Sequence, residues 1–388
     1  MLSKSIYWQE RLRKFKSDKL AISGFFMVCL LLLTAVFAPL IANNRPLFVY
    51  SKTSGISLPF IQTFFAPDSS EFIIEQFFNY VLLLLIFMFF CCLIPARFQK
   101  IRKIFRIAGA ILLLIPFITA QKKMDKTDFR KLYADRNEYT VVSAPVPFSP
   151  FEQCGMPYEK PSVEHLLGTD DIGRSVASRL IYGARVSLAV GIFATALSLI
   201  IGCTVGMLTG YFKGISDLII MRLIEILNCF PTFLLLLILM AMLKDRKFEQ
   251  SVLIITAVLG LTSWIGLALL VRGETLKQAS LAYILSCKSL GLPLARTLFF
   301  HLLPNISGVI FISFTFGIAG AILAESSLSF LGFGVQAPTA SWGGLLRQSF
   351  EDPLQYWHLT FFPGLALFVA VCGFNFMGEG LRKALSER

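Results

Sequence analysis

The sequence has few charged residues. Asp, Glu, Lys and Arg make up 15% of its 388 residues, whereas hydrophobic residues make up 55% and the mean hydropathy is +0.69. A soluble domain of this length cannot bury so much apolar surface, because its helices need a polar outer face. The composition therefore excludes an ordinary soluble protein. Short alternating strands are also missing, so we predict membrane-spanning helices and not a β-barrel.

Motifs for metal and nucleophilic chemistry are missing as well. The three histidines (His165, His301 and His358) are far apart, and the eight cysteines form no Cys-x-x-Cys pair. No Gly-x-x-x-x-Gly-Lys-Ser/Thr loop for nucleotide phosphates occurs, so this chain does not bind ATP in the usual way. A Ser/His/Asp or paired-Asp constellation at membrane depth is lacking too, which argues against a membrane-embedded hydrolase. We predict a non-catalytic chain with no metal and no cofactor of its own.

Long apolar runs predict eight transmembrane helices, because about 20 apolar residues in a helix cross the hydrocarbon core of a bilayer. The predicted spans are 20–42, 78–95, 104–120, 186–209, 218–243, 251–271, 305–330 and 358–380. The first run follows a basic segment, as a signal peptide would. It is too long for a typical signal-peptide core and lacks a convincing cleavage site before Asn43, so we predict that it is retained.

Basic residues beside the spans predict the orientation. The N-terminus (1–19) and the loop 96–106 are rich in Lys and Arg, which places both in the cytoplasm, and an even number of spans returns the tail 381–388 to the same side. Two segments run against the rule: 121–185 carries ten basic residues outside but is long, and the short loop at Lys244 is partly offset by acidic neighbours. The net charge of +12 thus follows the topology, and nucleic-acid binding is rejected.

Composition divides the rest of the chain into an external insert and a transmembrane core. We place the insert at 43–165, with the extra spans 78–95 and 104–120 inside it, and the core at 183–380. The polar parts of the insert predict surface loops or a small external cap. Cys154 is the one cysteine in a predicted external loop, so no external disulfide is expected.

A polar segment, 272–304, separates the spans 251–271 and 305–330. Its pattern predicts a helix, a break at Gly291-Leu-Pro293, and a second helix that is stopped by Pro304. The first helix would place Leu276, Ala279 and Tyr283 near one face, together with Ala282 and Ser286. Such a helix can dock into a cleft on a partner protein, although an ordinary loop between spans fits the pattern equally well.

This segment resembles the coupling loop of ABC importer permeases, which carries Glu-Ala-Ala, then Gly after three residues, and Leu-Pro further on. Gly291 and Leu303-Pro304 stand at the expected spacing, whereas Leu285-Ser286-Cys287 replaces the Glu-Ala-Ala. The missing carboxylate removes a polar contact, but helix docking can rest on apolar packing. By resemblance, the residues that contact an ATPase subunit are Ala282, Tyr283, Ser286, Cys287, Lys288, Gly291, Leu292 and Pro304.

Three further stretches resemble C-type permeases of the dipeptide, oligopeptide and nickel family. The motif at the start of the core comprises Gly168, Thr169, Asp170, Gly173 and Arg174, and the residues from Ser178 to Leu188 continue it. The stretches 325–343 and 362–382 resemble the family's long external loop and last span. The likeness covers about 160–388, and 15–42 matches the first span. Region 43–160 looks closer to the oligopeptide and microcin C permeases, and its extra spans are either a decoration or a docking site for the binding protein.

The resemblance implies an all-α polytopic protein with a type I ABC importer permease core, in which six family spans are supplemented by an inserted pair. It implies a multi-pass protein of the inner membrane that translocates peptides. Its partners would be a second related permease, two ATPase subunits that bind ATP and Mg, an external peptide-binding protein and membrane lipid. The rival is a proton-coupled secondary transporter, which needs ionisable groups inside the spans.

Ionisable groups are nearly absent from the cores of the predicted spans. Arg222 and Glu225 fall one helical turn apart and could pair locally. Glu325, with Ser326 and Phe330, is either a pore or external gate, or a carboxylate that neighbouring serines and backbone donors satisfy. The sequence does not decide between these two roles.

Overall fold

The computed structural model describes residues 2–51, 55–65, 71–92, 107–109, 111, 113–114, 129, 139–245 and 252–386. Helices dominate these residues. They are α1 (Leu2–Ser17), α2 (Lys19–Val36), α3 (Ala38–Ile41), α4 (Ile61–Phe65), α5 (Phe72–Cys92), α6 (Val176–Phe212), α7 (Ile215–Asn228), α8 (Thr232–Asp245), α9 (Val252–Thr262), α10 (Trp264–Ala279), α11 (Ala282–Ser289), α12 (Leu294–Arg296), a π-helical turn (Thr297–Leu302), α13 (Leu303–Phe330), α14 (Trp342–Gln348) and α15 (Trp357–Ser386). The strands are β1 (Phe48–Ser51), β2 (Gly55–Ser57) and β3 (Tyr139–Val142).

Six stretches of the described chain are long and apolar enough to cross a membrane, and a bent helix pair makes a seventh. They correspond to seven of the eight predicted spans. The predicted span 104–120 lies mostly outside the described residues, as do the loop 96–106 and much of 121–138. Each remaining run forms a helix because a membrane leaves the backbone no partner for its hydrogen bonds except itself.

The predicted span 218–243 is not one helix. It consists of α7 and α8, which meet at an angle of 77°. Pro231 stands directly before α8, and proline has no N–H to donate and disfavours helical geometry in the residue before it. The chain therefore leaves the helix at Cys229 and Phe230, and a new helix begins at Thr232.

Two other predicted spans are interrupted in the structure. The first helix, predicted for 20–42, ends at Val36, and a separate turn of helix with Pro39 in its first two positions follows. The span predicted for 251–271 is interrupted at Ser263 and continues to Ala279. Hydropathy does not detect either break, because apolar residues continue across it.

The described chain forms two compact units. The first comprises Met1–Cys29, Leu188–Val335 and Leu367–Arg388. One of its cores joins the coupling segment to the spans and contains Cys203, Met207, Val271, Ile284, Leu298, Leu302, Ile306 and Ile310. Close packing of α6 on α10 depends on Gly202, Gly206 and Gly210, where an added Cβ would lie 2.6–2.9 Å from backbone oxygens or a side chain of α10.

The second unit comprises Leu30–Ser187 and Gln336–Ala366. It contains a three-stranded antiparallel sheet in the order β2-β1-β3, in which Ser51 is opposite Tyr139 and Phe48 is opposite Val142. Surface loops or a small cap were predicted for this region. The sheet was not predicted, because its strands are short and β3 lies far from β1 in the chain.

Candidate functional site

The predicted coupling segment (272–304) contains the short helix α11, and Gly291 ends this helix. Gly291 has a φ of +66°, its N–H donates to the Lys288 carbonyl, and the Leu292 N–H donates to the Cys287 carbonyl. This pair of bonds at a left-handed residue is the Schellman motif, which favours glycine. The predicted break at Gly291 is therefore present and has a defined geometry.

Two features of this segment differ from the prediction. The helix that precedes the break is not continuous, because α10 ends at Ala279 and α11 begins at Ala282 after an extended Leu281. Pro304 does not stop a helix either. It lies in the first turn of α13, where a missing backbone N–H does not disrupt the helix. The preceding π-helical turn continues directly into α13.

Helix α11 has one buried face and one exposed face. Ile284 and Cys287 are buried and Tyr283 is half-buried, whereas the other predicted contact residues of α11 (Ala282, Ser286 and Lys288) are exposed, as is Pro304. The buried side of Ile284 packs with Leu298 and other residues of the core described above. Helix α11 is thereby joined to the helices that follow it by direct packing.

The exposed side of the coupling segment includes three leucines. Leu281, Leu285 and Leu290 have 44%, 49% and 76% of their surface exposed, and all three lie within ten residues of each other. Leu285 is the residue that replaces the family's glutamate. A cluster of exposed leucines beside polar neighbours is typical of a surface that a partner protein covers.

Polar contacts fix the segment to its surroundings. The Tyr283 hydroxyl bonds to Gln278 Oε1 at 2.8 Å, and Lys288 Nζ lies 4.5 Å from the centre of the Tyr211 ring. Burial raises the pKa of Tyr283, so its hydroxyl stays protonated at physiological pH. Asp217 of α7 accepts two hydrogen bonds of 2.6 Å from Arg272 of α10, a forked ion pair that joins these two helices.

Glu325, the predicted gate residue, is fully buried. Its carboxylate accepts hydrogen bonds from Ser329 Oγ at 2.7 Å and from Ser326 Oγ at 3.3 Å. Ser329 Oγ in turn accepts a bond from the Val335 N–H. These hydrogen bonds fit the second of the two expected roles, a carboxylate satisfied by local donors, and the gate role stays a prediction. Phe330 is half-buried at the end of α13.

A cavity of about 560 Å³ lies within the first unit among α6, α9, α10 and α13. Its walls combine apolar side chains with the hydroxyls of Thr195, Ser198, Ser263 and Ser313, and none of the described residues that line it is charged. Thr195 Oγ1 is buried there without a hydrogen-bond partner in the structure. Hydroxyl groups in such a lining can form hydrogen bonds with a polar solute.

The motif at the start of the core forms a buried charge cluster in the second unit. Asp170 is fully buried, and its Oδ2 lies 2.6 Å from Arg174 Nε and 3.2 Å from Arg179 Nε. Its Oδ1 accepts backbone bonds from Ile172 and Arg174. Arg179 also donates to the Pro338 carbonyl at 3.2 Å, which joins the start of α6 to the segment before α14. The predicted Asp170 and Arg174 are thus brought together, and they act as a structural centre.

The remaining motif residues shape the loop around this cluster. Gly168 and Gly173 have φ angles of +79° and +83°, and a Cβ on either would lie within 2.4 Å of a backbone oxygen. The Thr169 hydroxyl donates to the Met156 carbonyl at 2.6 Å. Only glycine fits where the loop passes this close to the neighbouring backbone.

Sequence reasoning did not assign roles to Arg179 and Arg185, which the structure buries completely or nearly so. Arg185 Nε donates to the Ala35 carbonyl at the end of α2 at 2.7 Å, and its guanidinium lies between the rings of Phe78 and Tyr182. It thereby holds α5 of the insert and the end of α2 against α6. The position of Arg185 beside an apolar run is the sequence feature that could have indicated a buried role.

Known proteins with similar sequences agree with this architecture. Residues 202–388 match the family described as binding-protein-dependent transport system inner membrane component, and residues 7–55 match the N-terminal transmembrane domain of oligopeptide transport permease C. The glutathione transport system permease protein of Pectobacterium atrosepticum is 39% identical over 230 residues, which are 59% of this chain and 75% of that protein.

Two Bacillus subtilis proteins are similar over the same share of the chain. The dipeptide transport system permease protein is 39% identical over 229 residues, or 70% of its length, and the oligopeptide transport system permease protein is 38% identical over 228 residues, or 73% of its length. The chain therefore belongs to the family of inner membrane permease components of binding-protein-dependent ABC transport systems.

Proposed function

We propose that this permease imports peptides or peptide-like solutes across the inner membrane, and that it works with a second related permease, two ATPase subunits and an external binding protein. Peptide cargo is supported by the names of its relatives, which transport dipeptides, oligopeptides and glutathione. ATP and Mg would be bound by the ATPase subunits. Both termini would lie in the cytoplasm, since the basic N-terminal segment flanks the first span.

The observation that carries the mechanism is the two-sided coupling segment. Its exposed leucines form a surface for an ATPase subunit, and Ile284 on the opposite side packs into the core of the spans. Closure of the ATPases would push α11, and the rigid core would pass this displacement to α13 and α10. The apolar surface replaces the carboxylate contact of the family pattern, because Leu285 stands at that position.

Transport measurements separate this proposal from a proton-coupled transporter. The complex in vesicles should take up peptide only when ATP and the ATPase subunits are present, and uptake should persist after an ionophore collapses the proton gradient. Uptake driven by a proton gradient without ATPases would contradict the proposal. The uncharged lining of the cavity favours the first outcome.

A surface variant tests the coupling segment. Burial of a leucine side chain contributes about 1.5–3 kcal/mol, so Leu290→Asp is expected to weaken ATPase binding roughly tenfold to a hundredfold. The matched control is Val163→Asp, because Val163 is 98% exposed and is not part of the coupling segment. Co-purification of the ATPase with the permease gives the measurement. Equal ATPase binding by both variants would show that the leucine surface is not the contact.

A further inference from the structure

A thiol, an imidazole and a carboxylate lie in a row in the segment before α6. Cys154 carries a thiol, and its Sγ lies 3.9 Å from Nδ1 of His165. On the other side of the ring, Nε2 lies 3.5 Å from Oε2 of Glu159. The transport role proposed above uses none of these three side chains.

Further contacts hold His165 and Glu159 in position. Oε1 of Glu159 accepts a hydrogen bond of 2.7 Å from the Met156 N–H, which leaves Oε2 directed to the imidazole. The His165 backbone N–H donates to Ser162 Oγ at 3.0 Å, and its ring packs 5.1 Å from the ring of Phe148. His165 has only 4% of its surface exposed, so its ring is fixed in position.

A glycine makes room for the pair. A Cβ at position 155 would lie 2.8 Å from His165 Nε2 and 3.0 Å from Glu159 Oε2. Gly155 thus permits the imidazole and the carboxylate to meet directly beside Cys154. This provides a single-atom substitution that disturbs the row without removing any of its members.

We propose that Cys154 is a reactive thiol that exchanges with small-molecule disulfides, with His165 as its base and Glu159 as the residue that orients the imidazole. A nucleophile beside a base that a third group orients is the arrangement that activates thiols in proteins. His165 Nδ1 and the Gly173 carbonyl, 3.9 Å and 3.5 Å from Sγ, can each accept the thiol proton. The first of these yields a thiolate beside an imidazolium.

The exchange balances without another reactant. The proton of Cys154 passes to His165 Nδ1, and the thiolate attacks one sulfur of a disulfide R–S–S–R. A Cys154–S–S–R bond forms, the original S–S bond breaks, and the leaving thiolate takes the proton from the imidazolium. The Cys154 sulfur is oxidised and the leaving RS group is reduced to a thiol, so no further oxidant is needed.

The modification would act beside the buried charge cluster. Cys154 is partly exposed, and its sulfur contacts the carbonyl of Gly173, in the turn that presents Asp170 to Arg174. Among the described residues, the ionisable groups that contact the His165 ring are Cys154 and Glu159, while the Asp170 carboxylate is bound by arginines. A group attached at Cys154 therefore lies against the loop that organises the second unit.

Residue-resolved labelling of the full-length chain in its membrane tests the proposal. Membranes are exposed to limiting 2,2′-dithiodipyridine at pH 8 and at pH 6, and the mixed disulfide on the Cys154 peptide is quantified by mass spectrometry. An ordinary thiol with a pKa of about 8.5 loses roughly 75-fold of its thiolate over this interval. We expect the native Cys154 rate to fall less than tenfold. The denatured chain should show the ordinary decrease.

Matched variants identify the cause. Gly155→Ala and Glu159→Gln should restore the ordinary decrease at Cys154, and His165→Asn should do so as well. The proposal is overturned if the native Cys154 rate changes with pH as in the denatured chain, or if the native chain is not labelled. An unchanged profile in Glu159→Gln and Gly155→Ala would also overturn the role of the row.

Discussion

Replacement of Asp170 by Asn should destabilise the second unit strongly. The amide has the same shape as the carboxylate and keeps a backbone acceptor, but it removes the negative charge between Arg174 and Arg179, whose surfaces are 3% and 2% exposed. Breaking a buried ion pair while its partner stays charged costs about 3–5 kcal/mol. For a unit of this size, that loss corresponds to a decrease in melting temperature on the order of 10 °C.

The assay is thermal unfolding of the purified chain in detergent, followed by the fluorescence of its tryptophans. Trp342 reports on the second unit, because its Nε1 donates to the Leu180 carbonyl and the residue is almost fully buried. The control is Asp171→Asn, whose carboxylate is 38% exposed and lies 3.4 Å from Arg174, so its loss should cost less than about 1 kcal/mol. Equal melting temperatures for the two variants would refute the reasoning.

Three other predictions rest on single contacts. Arg185→Lys should lower stability by about 1–3 kcal/mol in the same assay, because an ammonium cannot replace both the bond to the Ala35 carbonyl and the stacked guanidinium. Gly291→Val should cost about 1–2 kcal/mol through its φ of +66° and uncouple ATP hydrolysis from uptake, whereas Gly273→Ala in α10 should do neither. Burial, and after it Asp170, raise the pKa of Asp171, so stability from its protonation is lost as the pH rises through that pKa. Asp171→Asn should remove this decrease from melting temperatures measured as the pH rises from the ordinary pKa of aspartate to neutrality.

Local chemistry predicted some elements well. The apolar runs indicated the spans, because hydropathy alone decides whether a helix can lie in a membrane. Gly291 indicated a helix end, since a left-handed residue closes the Schellman motif there. The prediction that Pro304 stops a helix was wrong, because a proline can either end a helix or stand in its first turn. The π-helical turn that precedes Pro304, which the sequence does not reveal, leads into the second case.

Contacts between distant residues could not be predicted. Asp170 is joined through Arg179 to the Pro338 carbonyl, and His358 Nε2 lies 3.1 Å from the Thr169 carbonyl. Nothing in the local sequence encodes these partners. The same holds for the row of Cys154, His165 and Glu159, which the sequence presents as an isolated cysteine and a distant histidine. Burial of Glu325 also depends on the folded surroundings, and the sequence left its two roles equally open.

The pairing of β1 with β3 has a consequence for how the insert can change. Ser51 and Tyr139 are neighbours across the sheet, so the intervening segment leaves and returns at nearly the same point. The entropy of closing such a loop grows only with the logarithm of its length, and a doubling costs about 0.6 kcal/mol. Loop closure is therefore a small cost for a change of length between these strands. The larger cost comes from contacts that the segment makes, since β2 pairs with β1 and Phe78 of α5 lies 5.5 Å from Arg185.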